Sequence, residues 1–340
     1  DLHLCDRRQR QMCIRDRYIV YITYVKTYRG TEGHFTAHNC RNMPQTMVMK
    51  KFAAVLVLSL LAVCCGFAVP CAAEEKQDFR IVTALMYHGV LKSRQGEYIV
   101  SPARLEEDIV NFKNAGYNFV LPCQVAAYAR GAGSLPRKPL ILTFDDGHYN
   151  NAFYALPLLQ KHGACAVINV IGAFSAFSAS SGDSDNPNYS HLTWDNLNHL
   201  LSSGIIELGN HTYNMHKYFP RFGVGRLGGE SDGEYYSALY KDFSRLHETI
   251  REKCGYDMTT FAFPFGKYTE IAEQVLKKLG YTLTFTCNEG VTKVTSGSPS
   301  SCFYVRRINM DGRADSSALL QKAEGYYRSA LRQSSSSSSP

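Results

Sequence analysis

From residue 79 to residue 331 the chain switches repeatedly between short apolar runs and longer amphipathic ones, and this alternation restricts it to few folds. The segments "FRIVTALMYHG", "NFVLP", "PLILTF", "ACAVINVIG", "IIELGNH", "TTFAFPFG", "YTLTFTC" and "CFYVRRIN" are rich in β-branched and aromatic residues and read as strands. Helical patterns lie between them. "SPARLEEDIVNFKNAG" has Ser101 to cap its first turn, Pro102 just inside it and glycine at its end. "NAFYALPLLQKHG" reads as a helix in spite of its proline, as do "TWDNLNHLLSSG", residues 233–253, "YTEIAEQVLKKLG" and "DSSALLQKAEGYYRSAL". "SASSGDSDNPNYS" is a polar loop, and residues 333–340 form a serine-rich flexible tail. Strand–helix repetition of this kind predicts a parallel sheet or barrel with helices outside. One domain over residues 74–332 has the length of a (β/α) barrel.

The formal net charge of +7 points to an acidic partner until it is apportioned along the chain. Residues 1–73 carry 10 Lys/Arg against 4 Asp/Glu, which leaves 27 against 26 for the body. A near-neutral body has no basic footprint for nucleic acid, and no protein partner is indicated. The basic leader has its own explanation. Residues 49–73, "MKKFAAVLVLSLLAVCCGFAVPCAA", place two lysines, an apolar run and small residues before "EEKQ", the layout of a secretory signal peptide cleaved after Ala73. The alternative is a retained anchor, since residues 52–69 reach the lower edge of a membrane-spanning length. Either way the body is expected outside the cytoplasm, secreted or associated with the cell envelope. Residues 1–48 precede the methionine that opens the signal and show no apolar period, so they are expected to be non-native or untranslated upstream sequence. Five of the 11 cysteines fall in the body, Cys123, Cys165, Cys254, Cys287 and Cys302, and none are spaced as CxxC. The count is odd, so neither a zinc ribbon nor a disulfide framework is signalled, and Cys287 with Cys302 is a pair that an oxidising compartment could close into a local loop.

Within this frame three strand ends carry chemistry. "LTFDDGHYNN", residues 142–151, sets Asp145 and Asp146 side by side at the end of a buried strand, where an Asp-Gly turn alone would need no further explanation. In α/β folds, however, the C-terminal mouth of the strands is where ligands and catalytic groups collect. "GNHTYNMH", residues 209–216, follows another strand and supplies His211 and His216. Residues five apart on a regular helix diverge by about 140°, so this pair can share an ion only from a loop or irregular turn. With a carboxylate the pair makes a two-histidine, one-aspartate set suited to zinc or a similar divalent ion. "AFPFG", residues 262–266, is the third strand end.

The motifs "LTFDDG", "HTYNMH" and "FAFPFG", in that order, resemble those of the polysaccharide deacetylases with a NodB-homology domain, carbohydrate esterase family 4. The opening "ALMYHGV" and the wider histidine spacing resemble the poly-N-acetylglucosamine deacetylase branch. The resemblance implies a distorted (β/α) barrel with fewer than eight full units. It implies Asp145 as general base, and Asp146, His211 and His216 as ligands of one divalent ion, zinc or else cobalt, nickel, manganese or iron. It places the oxyanion at the backbone N–H of Phe265, beside Pro264. Neighbouring residues on a strand end point in different directions, so adjacent carboxylates can do two jobs.

The pattern also departs from that family. Its third motif carries an arginine that orients the catalytic Asp, where this chain has Ala262, and "RRINMDGRAD" offers no histidine to serve as general acid. His88, at the end of the first strand, is the substitute. Tyr213 and Tyr87 are candidates to line a sugar subsite, and Trp194 reads as core. The expected function is an exported metal-dependent hydrolase that removes N-acetyl groups from an amino-sugar polymer, peptidoglycan or another N-acetylglucosamine glycan. The rivals are an O-acetyl esterase of the xylan type and a non-catalytic glycan-binding protein on the same fold.

Overall fold

The computed structural model describes residues 78–336 except residue 183, without the side chains of residues 335 and 336. The signal-like segment and residues 1–48 lie outside the described residues. Among those described, no helix is long and apolar enough to cross a membrane.

Among the described residues eleven strands form, in chain order. They are β1 (Phe79–Tyr87), β2 (Gly89–Val90), β3 (Ile99–Val100), β4 (Asn118–Phe119), β5 (Pro139–Phe144), β6 (Ala166–Val170), β7 (Ile206–Asn210), β8 (Thr260–Ala262), β9 (Leu283–Glu289), β10 (Thr292–Thr295) and β11 (Val305–Asn309). The strands β1, β11, β9, β8, β7, β6 and β5 pair in that order, and β5 returns to β1, closing a parallel barrel. The barrel is distorted, with β7 and β8 meeting at the single pair Asn210↔Phe261 and a register shift between β9 and β11. Two short strands flank it: β10 runs antiparallel to the start of β1, and β4 pairs with β5.

Among the described residues eight helices accompany the strands: α1 (Pro102–Asn114), α2 (Pro122–Ala129), α3 (Leu156–His162), α4 (Gly172–Ser180), α5 (Trp194–Ser202), α6 (Asp232–Cys254), α7 (Glu270–Lys278) and α8 (Ser316–Ser336). Their starts follow from local chemistry. Ser101 Oγ accepts from Arg104 N at 3.1 Å, and Thr193 and Ser231 cap α5 and α6 in the same way. The predicted helix through "NAFYALPLLQKHG" divides: a π turn spans Asn151–Ala155, and α3 begins only at Leu156 with Pro157 in its first turn. Proline has no N–H to give to the preceding turn, so the helix restarts around it. Helix α4 occupies residues expected to be partly strand end and partly polar loop, β10 was not foreseen, and α8 carries the predicted last helix into the serine tail as far as Ser336.

Alternate strand residues form two apolar clusters. Leu85, Leu142, Ile168 and Leu208 pack outward against helices, whereas Val82, Ala84, Ile141, Val167 and Phe285 gather with Val125 and Tyr128 of α2. All six residues of β5 are buried, as a strand covered on both faces requires. Because the seven strands are parallel, their C-terminal ends share one rim. The candidate residues stand on it.

Candidate active site

Strand pairing sets the height of each functional group. β1 and β5 run in register to Tyr87↔Phe144, and Asp145 N donates to Tyr87 O at 2.9 Å, so His88 and Asp145 leave the sheet at the same level. The chain then turns sharply, Asp146 and Gly147 both being left-handed at φ 71° and 69°. Three of the five described non-glycine residues with positive φ, Asp146, Thr212 and Phe265, belong to the three motifs. Each such conformation costs on the order of 1 kcal/mol, so backbone strain is concentrated where the motifs meet.

Asp145 is almost fully buried, at 1% exposure, and fully engaged. Arg307 Nη1 and Nη2 donate to its two oxygens at 2.8 Å each, and Asn169 Nδ2 donates to Oδ1 at 2.7 Å. Arg307 is itself sealed in the barrel. Its remaining N–H groups reach Thr286 O at 2.9 Å, Thr143 Oγ1 at 3.0 Å and Cys287 Sγ at 3.9 Å. Burial alone would raise the Asp145 pKa, but the Arg307 guanidinium and His211 outweigh it and hold the carboxyl well below the usual range. Asp145 is therefore an ionised, rigidly oriented carboxylate.

The Arg307 contact resolves the missing arginine of the third motif. Ala262 does stand at the expected place, and the guanidinium comes instead from β11, inside the very segment "RRIN". Arg306 is exposed and Arg307 buried, so strand alternation turns one of two adjacent arginines inward. Sequence reasoning missed Asn169 as well. Its place depends on Gly209 in β7, where any side chain would collide with Asn169 Oδ1.

Asp146, His211 and His216 come together, their ligand atoms all lying within 4.8 Å of one another. Asp146 Oδ1 is 3.7 Å from His211 Nε2 and 3.5 Å from His216 Nε2, too far for hydrogen bonds. These two separations are close to the edge of about 3.4 Å expected of a tetrahedron whose ligands stand ~2.1 Å from its centre. Asp146 Oδ1 is also buried with no hydrogen-bond partner among the described residues, an arrangement a cation would resolve. His211 Nδ1 lies 2.7 Å from Ala262 O, an acceptor only, which assigns the proton to Nδ1 and turns the Nε2 lone pair to the cluster. The donor set thus fits a divalent ion. His148 Nε2 lies 3.6 Å from the other oxygen of Asp146, and its ring stacks on His191 with centroids 4.9 Å apart.

His88 Nδ1 is buried and without a partner among the described residues. Burial lowers its pKa against the pull of Asp145 and Asp146. Phe265 lies in the turn Pro264–Gly266 with its ring 4.4 Å from that of His216, which brings the third motif to the cluster. The two tyrosines go elsewhere. Tyr213 lies beneath the Arg245 guanidinium at 3.7 Å, takes a hydrogen bond from Arg245 at 2.9 Å, and packs over Gly172. Tyr87 is buried and donates to Asp108 at 3.1 Å, so it lines no subsite. Trp194 packs against the core as expected. The pairing of Cys287 with Cys302 is not made either: both are free, Cys302 buried near Val125 O and Cys287 exposed beside Arg307.

Residues 132–284 match the family model described as polysaccharide deacetylase. The chain carries a polysaccharide deacetylase domain. It is 26% identical over 243 residues to a poly-β-1,6-N-acetyl-D-glucosamine N-deacetylase of Escherichia coli K12, covering 66% of this chain and 36% of that protein. It thus spans about a third of the length of that relative. A protein of the same name from Staphylococcus aureus MRSA252 is 23% identical over 214 residues, covering 62% of this chain and 67% of that one. Among solved structures, a de-N-acetylase from Aggregatibacter actinomycetemcomitans superposes with a TM-score of 0.60 at 23% identity, over 72% of this chain and 99% of that one. At such identity the superposition shows the deacetylase fold.

Proposed function

We propose that this chain hydrolyses the acetamide of N-acetylglucosamine units in a polysaccharide outside the cytoplasm, with one divalent ion held by Asp146, His211 and His216. The observation that carries this reading is the division between two adjacent carboxylates: Asp145 is saturated by Arg307 and Asn169, while Asp146 keeps a buried oxygen open toward two histidine nitrogens. A protein that merely binds glycan has no use for an ionised base locked beside a cation site. When bound, the ion would polarise the acetyl carbonyl and acidify water. Zinc suits the donor set best, and cobalt, nickel, manganese and iron are compatible with it.

The chain's own residues divide the remaining work. Asp145, fixed in orientation, would accept the proton of the attacking water. His88, level with Asp145 and with a free buried nitrogen, would hold the proton destined for the leaving amine. The Phe265 N–H, presented by the turn that Pro264 begins, would donate to the oxyanion. Tyr213, clamped by Arg245, would buttress the loop that carries the two histidines rather than touch sugar. The named relatives are poly-β-1,6-N-acetyl-D-glucosamine N-deacetylases, which supports an N-acetylglucosamine polymer as the substrate class. The signal-like residues 49–73 support export.

Acetate release from N- and O-acetylated glycans, with and without chelator, tests the proposal. β-1,6-linked N-acetylglucosamine oligomers should yield acetate, chelator should abolish it, and zinc should restore it. Asp145→Asn should keep the ion and lose on the order of 100-fold or more in rate, about 2.7 kcal/mol of barrier. Acetate only from O-acetylated xylan would make it an esterase.

A further inference from the structure

The loop between β7 and α6 carries "KYFPRFG", residues 217–223, immediately after His216. Tyr218 is 76% exposed, Phe219 84% and Phe222 45%. Single exposed apolar side chains are ordinary, whereas a contiguous group at the edge of a polar cleft marks a contact surface. Two of these rings, Tyr218 and Phe222, are also ordered against the site. Phe265 stacks on Phe222 at 4.8 Å and 17° and on Tyr218 at 4.7 Å and 29°, and it touches the His216 ring at 4.4 Å.

The loop is pinned at several points. Arg221 makes two parallel bonds to Glu230 at 2.6 Å and 3.0 Å, and its guanidinium lies 5.3 Å from the Tyr235 ring centroid. Gly223 N donates to Lys217 O at 2.9 Å. Gly223 also presses on the third motif so closely that a Cβ there would stand 2.9 Å from Pro264 O. Beside His88, Tyr98 is 52% exposed and meets that histidine edge-on with centroids 4.8 Å apart. Tyr218, Phe222 and Tyr98 are thus each one or two ring contacts from a polar residue of the site.

Rings held in place before binding lose little conformational freedom when a ligand arrives. A pyranose presents a face of C–H groups bordered by hydroxyls, so it can cover a flat aromatic surface while its polar edge stays in water. A lipid contact, by contrast, would gain nothing from rings stacked onto the histidine of a cation site. We propose that Tyr218, Phe222 and Phe265, with Tyr98 at His88, form an aromatic shelf for the sugar rings flanking the one whose acetamide reaches Asp146, His211 and His216. The shelf makes the protein select a polymer over a single sugar. This rests on the reading of the site as glycan-directed.

The test uses Asp145→Asn protein with its ion bound, and calorimetric titration with a β-1,6-N-acetylglucosamine pentamer and with the monomer. Adding Tyr218→Ala and Phe222→Ala together should weaken pentamer binding on the order of tenfold or more. Tyr218→Phe should restore most of it, the metal content should hold, and monomer affinity should change less than pentamer affinity. Pentamer binding that is undetectable in the Asp145→Asn parent, or unchanged in the double variant, would overturn the shelf. Loss of the ion along with the pentamer would also overturn it, by reducing the loop to a prop for His216. A double variant that releases from anionic phospholipid vesicles while still holding pentamer would make the patch a membrane contact. Wild-type protein that binds pentamer through these rings yet frees no acetate sinks the deacetylase reading alone, and acetate release with shelf-independent affinity sinks the shelf alone.

Discussion

Asp145 at the mouth of the barrel and Glu207 one layer deeper are both nearly sealed from water, at 1% and 7% exposure, yet the protein surrounds them in opposite ways. Asp145 faces a buried guanidinium and is held ionised. Glu207 accepts one hydrogen bond, from Cys123 N at 3.3 Å, has its second oxygen unpartnered among the described residues, and is pushed up by burial. The registers Val167↔Glu207 and Asn169↔Gly209 put these carboxylates in adjacent layers of one interior. Burial by itself therefore does not make a base. What distinguishes the mouth is that a cation and an amide have been placed there at the expense of apolar packing, and an ion pair so buried is seldom worth keeping for stability alone.

The largest effect should come from removing that cation. Arg307→Gln leaves Asp145 buried and unpaired, and about 3–5 kcal/mol of stability should disappear in denaturant titrations near neutral pH. The pH dependence has a definite sign. In the native protein the Asp145 pKa is depressed, so its contribution is complete above the unfolded value of about 3.9 and is lost as pH falls through the folded value. Without Arg307 the burial effect is opposed mainly by His211 and His88, and the folded pKa rises. The deficit should then shrink on acidification, and acetate release by the variant should fail at mildly acidic pH where the wild type still works. A pH-independent deficit would mean that Arg307 braces the barrel rather than charging Asp145.

A smaller effect should follow from crowding the amide. Gly209→Ala forces Asn169 aside and breaks its 2.7 Å bond to Asp145 while leaving Arg307 in place. Overpacking of this kind costs about 1–3 kcal/mol. If orientation by Asn169 matters, turnover should fall roughly tenfold at unchanged metal content, whereas turnover that merely follows the folded fraction would assign Asn169 to packing.

The same contrast explains how much of the molecule could be read in advance. The barrel was legible because strand and helix periods alternate plainly. The Asp-Asp pair and the two histidines were legible because each follows a recognisable strand end. Arg307 was not, because its partner lies 162 residues away and nothing in "RRIN" tells which of two adjacent arginines faces inward. Asn169 was hidden in the same way within an apolar run, and nothing in "IIELGNH" marks Gly209 as the residue that leaves space for it. Helix α4 escaped notice because "GAFSAFSAS" is small and apolar without a polar face. The disulfide failed on burial: Cys302 sits in the core beneath α2, while Cys287 faces the mouth.

The smallest effect, and the cleanest control, concerns Glu207. Its folded pKa is raised, so the native state favours the protonated form. Stability attributable to this group is complete below the unfolded value of about 4.3 and declines as pH rises through the folded value. Glu207→Gln fixes a neutral, nearly isosteric group in its place and keeps an oxygen for Cys123 N. The variant should match the wild type at acidic pH and be more stable above neutrality by no more than about 1 kcal/mol, with that part of the pH slope gone. Acetate release and metal content should be unchanged, because Glu207 touches neither Asp145 nor the histidines. A large loss of turnover would show that the lower layer is coupled to the mouth, and that the two carboxylates belong to one electrostatic unit rather than two.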